Sequence, residues 1–421
     1  MTQAQKQDSV LIGASWYLVE KMTRLLVAFL IGAWVARYLG PESYGALAYA
    51  LALVAVIGFL GSLGIESLVV RDLVHETQQQ RQVISTYFFV RLTGAILVPL
   101  LSVVYLLITQ ANDHLLMLLA VLCSGSILFG SFDVADCWLQ AQNKARDTAV
   151  IRMTGFVGGA LLRCILIFID ASVPWFAAAV FMESAVIAVL YFRLLRRHQL
   201  APAFKDFSLT EFRRLVIDGK WMVLSGLIVT LYSKIDVLAI GALLSNEVLG
   251  GYAIAASMCG AWNMVGMSLV QAWAPRISQA KANCQEDYVA ALRQLLIGTL
   301  AISLLGSFTL SLIAEWIFHL LLGAAYQSGA VVFSKLIWSS VFVFLGVATS
   351  QIIVNEKIYW ISLARTASGL IFSLIVMDAV SSNWGADGVA WMMVANAALA
   401  TFSIFFSRAA RTTIKLVFKW P

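Results

Sequence analysis

Long apolar runs separated by short polar breaks make up almost the whole of this 421-residue sequence. A transmembrane helix needs about 20 predominantly apolar residues. Twelve runs reach that length, with approximate bounds 11–36, 44–70, 85–109, 114–139, 150–169, 174–195, 219–243, 248–275, 291–318, 328–353, 358–380 and 385–407. The pattern therefore predicts an all-α membrane protein of about twelve transmembrane helices.

The longest polar stretch, 196–218, lies between the sixth run and the seventh and holds five basic residues. It divides the runs into two sets of six, which predicts two six-helix lobes. We place the N-terminal lobe at 1–200, a cytoplasmic linker at 201–218 and the C-terminal lobe at 219–421. Inside the linker, the Ser-Leu-Thr-Glu run from Ser208 to Glu211 has the spacing of a helix-capping box, which predicts a short interfacial helix.

Basic residues are distributed unevenly between the two sides of the predicted spans. An N-terminus in the cytoplasm assigns 21 of the 29 Lys and Arg residues to inner loops, inner span ends and tails, and only Arg37 to an outer loop. Cytoplasmic loops carry such an excess, so both termini are predicted to be cytoplasmic. The first run contains Glu20, Lys21 and Arg24 and lacks a small-residue cleavage site, which indicates a retained span and not a signal peptide.

The composition narrows the class of protein further. Apolar residues make up 61% and charged residues only 12%, whereas a soluble domain has about 25% charged residues. The five cysteines lie singly, with no Cys-x-x-Cys pair and no histidine at ligand spacing, so neither disulfides nor a metal site is predicted, and no cofactor is expected. The net charge of +6 follows from the excess of Lys and Arg in the cytoplasmic loops and does not indicate a protein that binds nucleic acid. Outer loops of about four residues leave no room for an enzyme domain.

Seven basic residues fall inside the predicted spans, where a charge facing lipid costs about 2.5–3.5 kcal/mol. Three lie six or seven residues from a span end and can alternatively reach the interface by snorkelling: Arg91, Lys335 and Arg365. Four lie ten or more residues from the cytoplasmic end: Lys21, Arg24, Arg163 and Lys234. We interpret the seven as candidates for a cationic substrate-binding cavity at the centre of the protein.

Two of these spans also carry carboxylates close to the cations. In span one, Glu20 and Arg24 form an i,i+4 pair, so Glu20 either orients the arginine in a cationic wall or neutralises it as a buried strut. In span seven, Lys234 and Asp236 point about 160° apart on a helix. One of that pair is therefore expected to face the cavity and the other a neighbouring helix, and we favour Lys234 for the cavity.

Carboxylates within spans are candidates for ion coupling, because a gradient-driven transporter needs a group whose protonation or ion binding differs between its states. Glu20, Glu183 and Asp236 are the candidates, and Glu183 is equally well explained as a counter-ion for Arg163. Asp133 and Asp136 near the inner end of span four are further carboxylates of this kind. The coupling ion would be H⁺ or Na⁺.

A short repeat relates the two halves of the chain. Glu42-Ser43-Tyr44-Gly45 follows span one, and Glu247-Val248-Leu249-Gly250 follows span seven. An E-x-x-G match is weak by itself, but both copies stand at the same place in their half. Transporters are often built from such structural repeats.

Two stretches of the sequence resemble a known family. The stretch 24–48, RLLVAFLIGAWVARYLGPESYGALA, is similar to the opening of polysaccharide flippases, in which an apolar helix precedes L-G-P-x-x-Y-G. The stretch 234–255, KIDVLAIGALLSNEVLGGYAIA, resembles their seventh span, with an intramembrane aspartate, a glycine and a G-x-Y turn. The resemblance is to the Wzx-type flippases of the multidrug, oligosaccharidyl-lipid and polysaccharide exporter superfamily.

This resemblance implies a fold, a function and a set of partners. It implies two six-helix lobes around a central cavity, and export of undecaprenyl-pyrophosphate-linked oligosaccharide repeat units, such as those of O-antigen, across the bacterial inner membrane by alternating access. The expected partners are this anionic lipid-linked oligosaccharide, the bilayer, and a polymerase and chain-length regulator of polysaccharide assembly. A drug or metabolite antiporter of the same fold, a membrane glycan polymerase or ligase, and a channel remain alternatives.

Overall fold

The computed structural model describes residues 3–75, 79–110 and 112–418, with side chains from Val27 onward except that of Leu60. Within those ranges the protein is helical and contains no strand. A helix satisfies all of its backbone hydrogen bonds internally, as the bilayer core requires. The all-α fold class is confirmed.

Sixteen α-helices occupy these ranges. In the first half they are α1 Gln3–Ser62, α2 Glu66–His75, α3 Gln80–Thr109, α4 His114–Gly130, α5 Val134–Ala141, α6 Ala145–Phe168, α7 Val173–Arg197 and α8 Leu209–Tyr232. In the second half they are α9 Ile235–Leu243, α10 Asn246–Asn283, α11 Gln285–Leu312, α12 Ala314–Leu321, α13 Gln327–Leu336, α14 Ser339–Asn355, α15 Trp360–Phe402 and α16 Arg408–Phe418.

Among the described residues, nine helices are long and apolar enough to cross a membrane, or ten if the bent pair 324–336 and 339–355 forms one span. The protein is therefore a multi-pass membrane protein. Two of these helices each cover two predicted runs: α1 is interrupted at Gly40 (φ 74°) and α15 at Gly385 (φ 58°), where a left-handed backbone favours glycine. The number of crossings and the cytoplasmic location of the termini stay predictions.

Several predicted spans are broken helices. The fourth divides into α4 and α5 around a 3₁₀ turn at Ser131–Asp133, and the seventh divides into α8 and α9 at Ser233 and Lys234. The expected cap is present, since the Ser208 hydroxyl accepts a hydrogen bond of 3.3 Å from the Glu211 amide. However, the helix that it begins continues to Tyr232, so it is longer than the predicted interfacial helix.

The chain divides into two compact units. The first comprises the residues up to Tyr38 together with Tyr49–Thr230, and the second comprises Leu39–Ala48 together with the residues from Leu231 onward. Each unit has an apolar core, around Tyr87, Trp138 and Tyr191 in the first and around Tyr288 and Ile352 in the second. The predicted lobe boundaries at 200 and 219 stay a prediction, although α8 lies mainly with the first unit.

The two copies of the E-x-x-G repeat contact each other within the second unit. A Cβ atom at Gly45 would collide with the backbone carbonyl of Asn246, and one at Gly250 would collide with that of Pro41. Pro41 and Asn246 each precede the glycine of their own copy by four residues. The contact is thus reciprocal, and it brings two helix backbones together where only glycine fits.

Candidate functional site

The first unit contains two adjoining polar cavities of about 470 and 460 Å³. Three residues line both of them, namely Arg91, Asp133 and Arg152. We refer to the two together as the charged cavity. Cavities of this size are in the range, roughly 300–1,000 Å³, that small-molecule sites occupy.

Arg91 lies on α3 between two carboxylates of the charged cavity. Its guanidinium nitrogens are 3.7 Å from Glu66 Oε1 and 3.6 Å from Asp133 Oδ2, and one of them donates a hydrogen bond of 3.3 Å to the Tyr87 hydroxyl. The residue is only 8% exposed. The side chain is buried among α2, α3 and the 3₁₀ turn, which does not favour the snorkelling alternative for Arg91.

A second ion pair in this cavity is not predicted by the sequence. Arg152 Nη2 on α6 donates to Asp136 Oδ2 on α5 at 2.7 Å, and Gln140 donates to the same oxygen at 3.2 Å. Within the part of the chain that the structure describes, the buried Asp136 Oδ1 and the hydroxyl of Thr148, which also lines the cavity, have no hydrogen-bond partner. In the sequence, Arg152 is one of the 21 basic residues assigned to the cytoplasmic side, and only the carboxylates Asp133 and Asp136 mark this region.

Arg163 and Glu183 form a further ion pair of the first unit. Arg163 Nη2 on α6 lies 2.8 Å from Glu183 Oε2 on α7, and both side chains are about one-fifth exposed. This contact is the one that the interpretation of Glu183 as a counter-ion for Arg163 predicts. Its role in ion coupling stays a prediction.

Among the residues whose side chains the structure describes, the charge balance of the charged cavity is negative. Four carboxylates line it, on Glu66, Asp133, Asp136 and Glu183. Three arginines pair with them, counting Arg163, which leaves a formal charge of −1. The basic residues predicted for a cationic wall here are thus held by acidic partners.

In the second unit, two of the predicted basic residues bind protein groups. Lys335 Nζ lies 2.8 Å from Asp387 Oδ2, and the Asp387 side chain is half exposed. Arg365 on α15 donates to two backbone carbonyls at 3.0 Å each, from Nε to Ala400 and from Nη1 to Gly346. Arg365 therefore ties α14 to both halves of α15.

Lys234 lies at the break between α8 and α9 and is the N-cap residue of α9. It is partly exposed, and within the described part of the chain its ammonium group has no hydrogen bond or ion pair. Asp236 is 7% exposed and accepts a hydrogen bond of 2.7 Å from the Tyr252 hydroxyl on α10. Asp236 thus contacts the neighbouring helix, as one of this pair was expected to do.

The last three candidate residues lie in the first predicted span. The side chains of Glu20, Lys21 and Arg24 lie outside the described residues, so their roles stay predictions. Within the described ranges, no three His, Cys, Asp or Glu side chains are grouped closely enough to hold a metal ion.

Solved structures with the same fold are membrane transporters. The chain is similar to an inward-facing multidrug resistance MATE family transporter of the MOP superfamily, with 17% identity, a TM-score of 0.72, and coverage of 95% of this chain and 96% of that one. It is also similar to the lipid II flippase MurJ in an inward closed conformation, with 13% identity, a TM-score of 0.74, and coverage of 96% and 90%. The fold is that of the MOP-superfamily transporters.

A third similar structure is a MOP superfamily transporter from Pyrococcus furiosus, for which reversed polarity of the binding pocket suggests a different function. It is 15% identical, with a TM-score of 0.53 and coverage of 97% of this chain and 94% of that one. No curated protein sequence matches the chain. Residues 10–281 match the family described as polysaccharide biosynthesis protein, and the chain belongs to that family.

Proposed function

We propose that this protein is a flippase that moves undecaprenyl-pyrophosphate-linked oligosaccharide repeat units, of O-antigen or a similar surface polysaccharide, across the bacterial inner membrane. Membership of the polysaccharide biosynthesis family and a fold shared with a lipid II flippase support this class of cargo. Transport proceeds from the cytoplasmic to the periplasmic face by alternating access. The protein catalyses no covalent chemistry in this scheme.

The observation that carries the proposal is Lys234, a cation at a helix break in a membrane span. Broken spans place substrate and ion sites near the bilayer midplane in many transporters. A charge there is costly unless a partner compensates it, and the described residues supply Lys234 with no ion-pair partner. The nearby carboxylate of Asp236 compensates this charge in part without a direct ion pair, and the pyrophosphate or a sugar carboxylate of the cargo would supply a direct partner.

The other basic residues receive different roles in this scheme. Lys21 and Arg24 are further candidates for binding the head group, and the fork of an arginine suits phosphate oxygens. Arg91, Arg163, Lys335 and Arg365, which bind protein groups, contribute only where cargo exchanges for those partners. Polymerase and chain-length regulator would receive the exported units, and H⁺ or Na⁺ would drive export through Glu20, Glu183 or Asp236.

The test measures lipid-linked repeat units on each face of inner-membrane vesicles. Cells without the gene should accumulate single units on the cytoplasmic face, and the wild-type gene should restore export. Lys234→Gln should lower export about tenfold or more, since a hydrogen bond to a charged group contributes about 1.5–3 kcal/mol, and Lys234→Glu should abolish it. The control is Lys335→Gln, which removes the same charge from a lysine paired with Asp387.

Three outcomes would count against this function. Units that accumulate on the outer face without the gene would indicate a polymerase or ligase. Unchanged amounts on both faces would indicate a different cargo. If Lys234→Gln and Lys335→Gln lower export equally at equal protein levels, Lys234 has no special role in binding.

One observation favours a second candidate, the export of small organic cations. The charged cavity has a carboxylate excess, which suits a cationic molecule better than an anionic one. Under this alternative, loss of the gene would leave surface polysaccharide intact and raise sensitivity to cationic compounds. Substitution of Asp133 by Asn would then impair that resistance, whereas Lys234→Gln would not.

A further inference from the structure

An apolar cavity of about 520 Å³ opens on the second unit beside the C-terminal helix α16. Its walls come from α11, α14, the end of α15 and α16, including Leu300, Leu345, Phe402, Ile414 and Phe418. Two threonines also line it, but their hydroxyls donate to backbone carbonyls, Thr349 to Gly346 at 3.0 Å and Thr401 to Phe342 at 2.7 Å. The cavity therefore offers a hydrocarbon surface, and only an apolar group gains by entering it.

Helix α16 is strongly amphipathic. Ala410, Thr413, Ile414 and Val417 are buried, and three of these pack into the apolar core of the unit. On the other face, Arg408, Arg411 and Lys415 fall within an arc of about 60° at 3.6 residues per turn, and all three are exposed. An exposed basic face on an amphipathic helix of a membrane protein suits contact with lipid head groups.

The basic face and the apolar cavity adjoin each other. Arg411 lies one turn before Ile414 and two turns before Phe418, both of which line the cavity. On α11, the exposed Arg293 lies one turn before Ile297, another lining residue. Within the described residues, the guanidinium groups of Arg293, Arg408 and Arg411 have no ion-pair partner.

The geometry points to a binding site for an anionic phospholipid, with one acyl chain in the apolar cavity and the phosphate at Arg411, flanked by Arg408 and Arg293. Charge complementarity selects the anionic class, because an interfacial lysine or arginine attracts acidic lipid by about fivefold in affinity. The size of the cavity selects a phospholipid, since the polyprenyl tail of the proposed cargo is several times longer than an acyl chain. The site does not depend on what the protein transports.

The experiment is native mass spectrometry of the purified full-length protein, titrated with phosphatidylglycerol or phosphatidylethanolamine of identical acyl chains. The wild type should retain phosphatidylglycerol preferentially. Arg408→Gln with Arg411→Gln should lower that preference about 25-fold, at about fivefold for each arginine. The matched control is Arg196→Gln with Arg197→Gln, two exposed arginines in the last turn of α7, and it should leave the preference unchanged.

A second pair of variants tests the cavity. Leu300→Trp fills the cavity and should weaken retention of both lipids, whereas Leu305→Trp, at a 69% exposed position on the same helix, should not. Equal elution and thermal midpoints establish that each variant is folded. The proposal is overturned if the two arginine pairs behave alike, if Leu300→Trp and Leu305→Trp behave alike, or if the retained molecule is a polyprenyl diphosphate.

Discussion

The two units of this protein accommodate charge within the membrane in different ways. In the first unit, Arg91, Arg152 and Arg163 each contact a carboxylate, and the carboxylates are in excess. In the second unit Lys335 also pairs with a carboxylate, but Arg365 binds carbonyls, and Lys234 has no ion pair within the described residues. A basic residue in a span is therefore a poor indicator of an anion site until its own partner is known.

The largest expected effect is that of removing a buried partner from the first unit. Arg91→Gln leaves Glu66 and Asp133 facing each other without the guanidinium. Breaking a fully buried ion pair typically costs about 3–5 kcal/mol, and because the two carboxylates are 45% and 36% exposed we expect a loss at the lower end of that range. We expect a clear fall in the thermal midpoint of the detergent-purified protein. The added substitution Asp133→Asn should recover part of it, and a double variant no more stable than Arg91→Gln would contradict this network.

A smaller effect is expected at Arg365 in the second unit. Arg365→Lys keeps the charge but cannot donate to the carbonyls of Gly346 and Ala400 together, so about 1.5–3 kcal/mol should be lost. Thermal unfolding of the purified variant measures this. If Arg365→Lys is as stable as wild type while retaining its fold, the two carbonyl contacts contribute nothing to stability.

The reciprocal glycine contact should respond equally from either side. Gly45→Ala and Gly250→Ala each place a methyl group against a backbone carbonyl, which should cost about 1–3 kcal/mol. The matched controls are Gly32→Ala in α1 and Gly260→Ala in α10, where an added Cβ meets nothing within 4 Å. These controls should be neutral or slightly stabilising, because alanine favours the helix. The unfolding midpoints of the four variants test this prediction, which fails if Gly45→Ala and Gly250→Ala are as stable as the two controls.

The smallest effect is expected for the ion pair between Lys335 and Asp387. Both side chains are partly exposed, at 28% and 49%, so the pair should contribute no more than about 1 kcal/mol. Lys335→Gln should shift the midpoint by far less than Arg91→Gln does. If Lys335→Gln shifts the midpoint as much as Arg91→Gln does, burial does not determine how much these two ion pairs stabilise the protein.

Much of the fold could be predicted from the apolar pattern alone. The predicted runs 85–109, 150–169 and 174–195 match α3, α6 and α7 to within a few residues. The breaks could not be predicted in this way. Ser233 and Lys234 interrupt the seventh run without a glycine or a proline, and Ser131–Asp133 turns within a run that reads as continuous.

The candidate site was less predictable than the fold, because its contacts join residues far apart in sequence. Arg163 and Glu183 could be paired in advance, since their helices are neighbours along the chain. Arg91, by contrast, meets one carboxylate on α2 and another more than forty positions away, and periodicity carries no information on such distances. The sequence marks Asp136 as a carboxylate within a span, but it does not mark its partner Arg152. Arg152 stands at a cytoplasmic span end, where basic residues are common whether or not they bind a carboxylate.

The contact between Gly45 and Gly250 limits which substitutions can accumulate in this sequence during evolution. Side chains that touch can be exchanged in compensating pairs, so a duplicated segment soon loses its likeness wherever its copies meet through side chains. A peptide carbonyl has no such freedom, since every substitution leaves it in place. The E-x-x-G echo between the halves therefore persists at a place where one main chain contacts the other, and an ancestral symmetry is best sought there.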